Sequence, residues 1–301
     1  MTEPTPPALR TDSRVLLAAA LITGALVLVF WQVFVRLFDA WSNDGNYSHG
    51  FLIIPLAAYF AWERRAQFSS TPIQSSAFGL VVLIGSMGVL LAGLLGAELF
   101  LSRIAIVGAV IGIVLYLYGW RRLKILAFPI GFLLLMIPIP AIIFQQIAFP
   151  LQLFASEFGE FCMSAAKIPV LREGNVLILA NTTLEVAEAC SGIRSLISLI
   201  TLAIVFGYFS DPRPWVRAVI VASAIPVAIV ANGARVAGTG MAAQWYGPEA
   251  AQGFFHEFSG WVVFVVAFAL MMAVHRVILL VSRRPAAPLE IAKPVSQPER
   301  A

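Results

Sequence analysis

The chain has 301 residues, of which 60% are apolar and 12% charged, with a mean hydropathy of +0.88. Soluble domains carry roughly half apolar and about a quarter charged residues, so a water-soluble fold is excluded and bilayer-crossing helices are implied. The net charge of +4 therefore bears on membrane orientation and gives no case for nucleic-acid binding.

Residues 1–14 form a Pro-containing tail. The run "VLLAAALITGALVLVFWQVFV" opens a first span at 15–37. It is longer than the apolar core of a signal peptide and lacks a small-residue cleavage site, so it is expected to stay in the membrane. Further apolar spans are predicted at 50–62, 77–96, 99–119, 123–143, 192–209, 215–237 and 260–281, and a second tail occupies 282–301. The expected fold is an all-α polytopic membrane protein with about eight transmembrane helices, residues 15–281 forming one transmembrane domain with no appended soluble domain.

Orientation follows from the twenty Lys and Arg residues. Placing both termini in the cytoplasm puts Arg10/Arg14, Arg64/Arg65, Arg121/Arg122/Lys124, Arg213/Arg217 and the basic residues from Arg276 onward inside, which is the majority. Trp41, Trp62, Trp120, Trp215, Trp245 and Trp261 fall at or near span ends, where amphipathic rings prefer to sit. Arg36, Arg103, Lys167 and Arg172, on the outward side, read as interfacial snorkellers. His275 reads as interfacial at the inner end of the last span.

The one sizeable outward segment is 144–191. In "LQLFASEFGEFCMSAA", Leu151, Phe154, Phe158, Phe161 and Ala165 share one helical face, while Gln152, Ser156, Glu160 and Ser164 share the other, predicting an amphipathic helix in the membrane interface. "VLREGNVLILANTTLEVAEA" alternates, with turn residues at Glu173-Gly174-Asn175 and Ala180-Asn181-Thr182, predicting a small β-hairpin or meander leading to Cys190.

This orientation brings Cys190, Arg194, Arg235 and His256, from different loops and span ends, to one level of one leaflet. Cys190 precedes a helix start, where the dipole and nearby guanidinium groups favour the thiolate. Ser191 and Gly192 offer free backbone N–H groups and close approach for an oxyanion. His256 suits acid–base work at neutral pH, and Arg235 suits stabilising an oxyanion. Asn232, one turn before Arg235, can fix that guanidinium. Glu188 and Glu257 can orient the base or the arginine. No metal-ligand or phosphate-loop spacing is present, so no cofactor is expected. Cys162, the only other cysteine, lies among apolar neighbours and reads as a buried thiol, with a Cys162–Cys190 disulfide as the rival. Two other functions stay open on these residues: a transporter or lipid flippase, and a thiol–disulfide oxidoreductase using both cysteines.

"SHGFLIIPLAAYFAW", "LEVAEACSGIRSL", "ANGARV" and "GFFHEFSGW", in that order, resemble the exosortase/archaeosortase family of membrane cysteine transpeptidases, over about residues 40–281. The resemblance implies Cys190 as nucleophile, with the family's arginine at Arg235 and its histidine at His256. Arg194 matches the arginine of the cysteine block. It further implies a multi-pass enzyme of the bacterial inner membrane with a periplasmic active site. The implied substrates are exported proteins ending in a short motif such as Pro-Glu-Pro, a transmembrane helix and a basic cluster. They would be cleaved through an acyl-thioester and passed to an envelope acceptor, often in bacteria making exopolysaccharide.

Overall fold

The computed structural model describes residues 13–186, 192–247 and 254–282, and for 13–16, 18–20 and 254–259 the backbone alone. Helices dominate, joined by one three-stranded sheet. The chain divides at Pro150 into two compact units, Met1–Pro150 and Leu151–Ala301.

The first unit begins with α1 (Ser13–Val29) and α2 (Trp31–Asn43), which meet at a 70° bend. α3 (Gly50–Glu63) is an apolar helix of 14 residues, shorter than the roughly 20 that a straight crossing needs. The short α4 (Arg65–Ser70) leads to α5 (Phe78–Leu95), which packs along α6 (Leu99–Phe132). Small residues allow this close approach: Gly79 abuts the Tyr116 backbone, Gly112 abuts Leu83, and Gly93 abuts Ser102. Predicted span 99–119 and the part of 123–143 up to Phe132 share one helical run, broken at Gly119 (φ +81°), where a side chain would strike the Gln74 carbonyl. A 3-10 turn at Leu133–Met136 follows.

Beyond that turn, Pro138 and Pro140 interrupt the helical hydrogen-bond ladder and leave carbonyls without helical donors. The 41–49 segment bonds the backbone here, and its Trp41 replaces the donor that Pro140 lacks. Trp41 Nε1–H donates to Met136 O at 2.9 Å, and His49 Nε2–H donates to Leu135 O at 3.2 Å. The Tyr47 hydroxyl hydrogen-bonds the Ile139 backbone. Trp41 thus departs from the expected interfacial role. It is 6% exposed and serves as an internal donor, whereas the other five boundary tryptophans are exposed.

α7 (Ala141–Ala165) carries the predicted amphipathic pattern into the second unit. Gln152, Ser156 and Glu160 of its polar stripe dock against protein, while Ser164 is exposed. Ser156 Oγ donates to Gly174 O at 2.9 Å, Asn175 Nδ2 to Gln152 Oε1 at 3.4 Å, and Arg172 Nε to Glu160 Oε2 at 2.7 Å. Arg172 is therefore an ion-pair partner and not a free snorkeller. The groups it helps hold form the predicted meander, β1 (Val170–Glu173), β2 (Val176–Leu179) and β3 (Thr183–Glu185), antiparallel in the order β1-β2-β3. Ala155, Met163, Leu177, Leu179, Val186 and Val236 bury its inner face.

Three helices complete the second unit: α8 (Ile193–Ser210), α9 (Pro214–Tyr246) and α10 (Phe254–Val281). They share a core of Leu199, Ala203, Val216, Ile220, Ala224, Ala267 and Met271. Among the described residues, α5, Leu99–Met136, α8, α9 and Gly260–Val281 are long and apolar enough to cross a bilayer, making five. The bent α1–α2 pair would make six.

Candidate active site

The site builds outward from the start of α8. Gly192 is its N-cap with φ +79°, a left-handed conformation that costs a side-chain-bearing residue about 1–2 kcal/mol. Space demands glycine as well, because a Cβ there would lie 2.7 Å from Asn232 Cγ. The next residue, Ile193, anchors the helix start at 1% exposure, and Leu196 N–H donates to Gly192 O at 2.7 Å. A cavity of about 10 Å³ opens between Gly192, Leu196, Ala228 and Asn232, room for a single water.

Asn232 is buried at 3% exposure on a stretch of α9 where small residues let α7 approach. Phe158 packs on Gly233, and Met163 packs on Gly240. The Asn232 side chain lies against Gly192, and one helical turn separates it from Arg235. Arg235, three residues on, is half-buried and reaches α10. A Cβ at Gly260 would sit 3.8 Å from both its Cζ and Nη2. Positions 256 and 260 lie one turn apart on one face of α10, so Arg235 packs on the face to which His256 belongs.

Two approaches therefore tie α9 to its neighbours, Asn232 to Gly192 at the start of α8 and Arg235 to Gly260 on α10, with Arg194 exposed on the first turn of α8. Glu188, Cys190 and Ser191 lie outside the described residues, as do the side chains of His256 and Glu257. Covalent geometry alone limits the Cys190 Cα to within about 7 Å of the Gly192 Cα. Cys162 is a free, half-buried thiol.

Gly260 escaped the sequence reading. Its signal was present: a small residue four positions after a candidate histidine, in a helix otherwise rich in large side chains. His275, expected at an interface, is buried at 8% exposure, edge-on to Phe206 and 3.9 Å from the Asp211 carboxylate.

A family model described as transmembrane exosortase matches residues 41–273. Comparison with curated proteins and with solved structures finds no match.

Proposed function

The chain belongs to the transmembrane exosortase family, and from that membership we propose that it is a multi-pass membrane cysteine peptidase and transpeptidase acting through Cys190, Arg235 and His256. The Cys190 thiolate attacks a substrate peptide carbonyl and forms a tetrahedral oxyanion. Arg235 and the backbone N–H groups around Ser191 and Gly192 stabilise that charge. The carbon–nitrogen bond breaks as His256 protonates the departing amine, leaving an acyl-thioester on Cys190. An acceptor nucleophile then gives its proton to His256, attacks the thioester carbonyl and releases the thiolate.

The substrates are exported proteins whose carboxy-terminal signal combines a short motif, a transmembrane helix and a basic cluster. A substrate helix crossing the same bilayer presents its outer end at the level of the site, on the periplasmic side, with both enzyme termini in the cytoplasm.

The observation that supports this reading is the pair of approaches that α9 makes, Asn232 to Gly192 and Arg235 to Gly260, four residues after His256. It supports a common site for the start of α8, Arg235 and the start of α10. Co-expression with a tagged substrate tests it. Cys190→Ala is expected to leave the precursor uncut, while Cys162→Ala cleaves at close to the normal rate. Normal processing by Cys190→Ala would overturn the mechanism.

A further inference from the structure

The first unit holds an arginine whose surroundings do not account for its charge. Arg103, near the start of α6, is 6% exposed. A guanidinium presents five N–H donors, yet Arg103 makes one hydrogen bond, a long one of 3.4 Å from Nη2 to Arg36 O. Its Nε is sealed from solvent and has no hydrogen-bond partner among the described residues. Among the described residues no carboxylate forms an ion pair with it, and Glu98 acts on it only from farther off. The contrast with Arg122, the other buried arginine of α6, is direct. Arg122 donates to Thr71 O at 2.9 Å and to Ser69 O, and it stacks on Phe68 and Tyr118.

A buried cation without a counter-charge is costly, most of all in a membrane protein. The local architecture suits an anion. Arg103 lines a cavity of about 10 Å³ together with Gln32, Arg36, Leu99 and Ser102, enough for one oxygen-sized atom. Arg36 is exposed at this cavity. The first turn of α6 contributes the positive end of the helix that runs from Leu99 to the break at Gly119, with no acidic residue in that turn, and the N-cap residue Glu98 makes no side-chain cap.

We propose that Arg103, Arg36 and the start of α6 form a binding site for a phosphate group, that of an anionic phospholipid headgroup at the membrane surface. One phosphate oxygen enters the cavity to meet the buried guanidinium, and the others stay at its mouth with Arg36. A free phosphate ion shares this chemistry, and the experiment separates the two sources.

The purified full-length protein in detergent is titrated with dihexanoyl-phosphatidylglycerol, dihexanoyl-glycerol or inorganic phosphate, and its thermal unfolding midpoint is followed. Saturable stabilisation by the phospholipid but not by the neutral diacylglycerol is expected, with affinity about tenfold weaker in Arg103→Gln, the scale of one lost charge-assisted hydrogen bond. Stabilisation by inorganic phosphate alone, lost in the same variant, keeps the phosphate site and reassigns its source. Should Arg103→Gln fail to fold, Arg36→Gln carries the test, with a several-fold weaker response expected. No saturable response to either phosphate probe, or one that the folded variants leave unchanged, overturns the proposal.

Discussion

Gly192 and Asn232 touch so closely that a single added carbon on the glycine would overlap the asparagine side chain. The contact holds the start of α8, two residues beyond Cys190, against the helix that carries Arg235. Gly192→Ala adds left-handed strain to this overlap and is expected to slow substrate cleavage about tenfold or more. The cause can be isolated with a double-mutant cycle. In an Asn232→Ala background the overlap is gone, so the same alanine at 192 should cost visibly less. An equal cost in both backgrounds would locate the effect in the backbone alone.

The Arg235–Gly260 contact makes a graded prediction. A methyl group at 260 would lie 3.8 Å from the guanidinium, an ordinary van der Waals separation. Gly260→Ala should therefore cleave near the normal rate, and its thermal midpoint should hold or rise because alanine favours helix by up to about 1 kcal/mol. Gly260→Leu places further carbons where the guanidinium lies. It should lose most activity while remaining folded, as judged by an unchanged elution profile in detergent and a cooperative melt.

Trp41 stands in for the donor that Pro140 lacks, and His49 and Tyr47 bond the Leu135 carbonyl and the Ile139 backbone where the helix has ended. His49→Ala leaves the Leu135 carbonyl without its partner and should lower stability by about 1–3 kcal/mol, the cost of a buried unsatisfied polar group. Burial holds the His49 pKa below the usual histidine value. The unfolded chain then takes up this proton first, near pH 6.5. The stabilisation from His49 is full above that pH and is lost as pH falls below it. Thermal midpoints at pH 7.5 and 5.5 should differ more for the wild type than for His49→Gln.

The sequence exposes these features unequally, for physical reasons. Apolar run length marks α5, α8 and the body of α10, because a bilayer demands about 20 such residues. The meander announces itself through Gly174-Asn175 and Ala180-Asn181-Thr182, whose types suit turns. Periodicity shows that Gln152, Ser156 and Glu160 share a face of α7, but a period cannot say whether that face meets water or a sheet. Arg36 and Arg103 look alike to a charge count, yet one is exposed and the other buried, which only packing decides. Asn232 and Arg235 are neighbours on one helix by spacing. That Asn232 meets Gly192 and Arg235 meets Gly260 depends on where α8 and α10 lie. Of the candidate site, the residue types are therefore readable, and the approaches to Gly192 and Gly260 are not.

At the other end of α8, Asp211 fastens the turn into α9. Its carboxylate, 4% exposed, accepts from the Arg213 backbone N–H at 2.8 Å, from Nε at 2.9 Å and from Nη2 at 2.7 Å. Its backbone carbonyl accepts from Arg217 Nε at 2.6 Å. Hydrogen bonds from the Arg213 guanidinium hold the Asp211 pKa down to about 2. A carboxylate whose folded pKa lies below its unfolded value stabilises the fold above about pH 4 and loses that contribution as pH falls toward 2. Asp211→Asn should therefore melt at a lower temperature than wild type at pH 7, and the gap should narrow as the pH is brought down toward 3. Because this carboxylate lies at the opposite ends of α8 and α9 from Gly192 and Arg235, the variant should still cleave substrate below its own melting transition. A cleavage defect at temperatures where Asp211→Asn remains folded would tie this turn to the chemistry and not to stability alone.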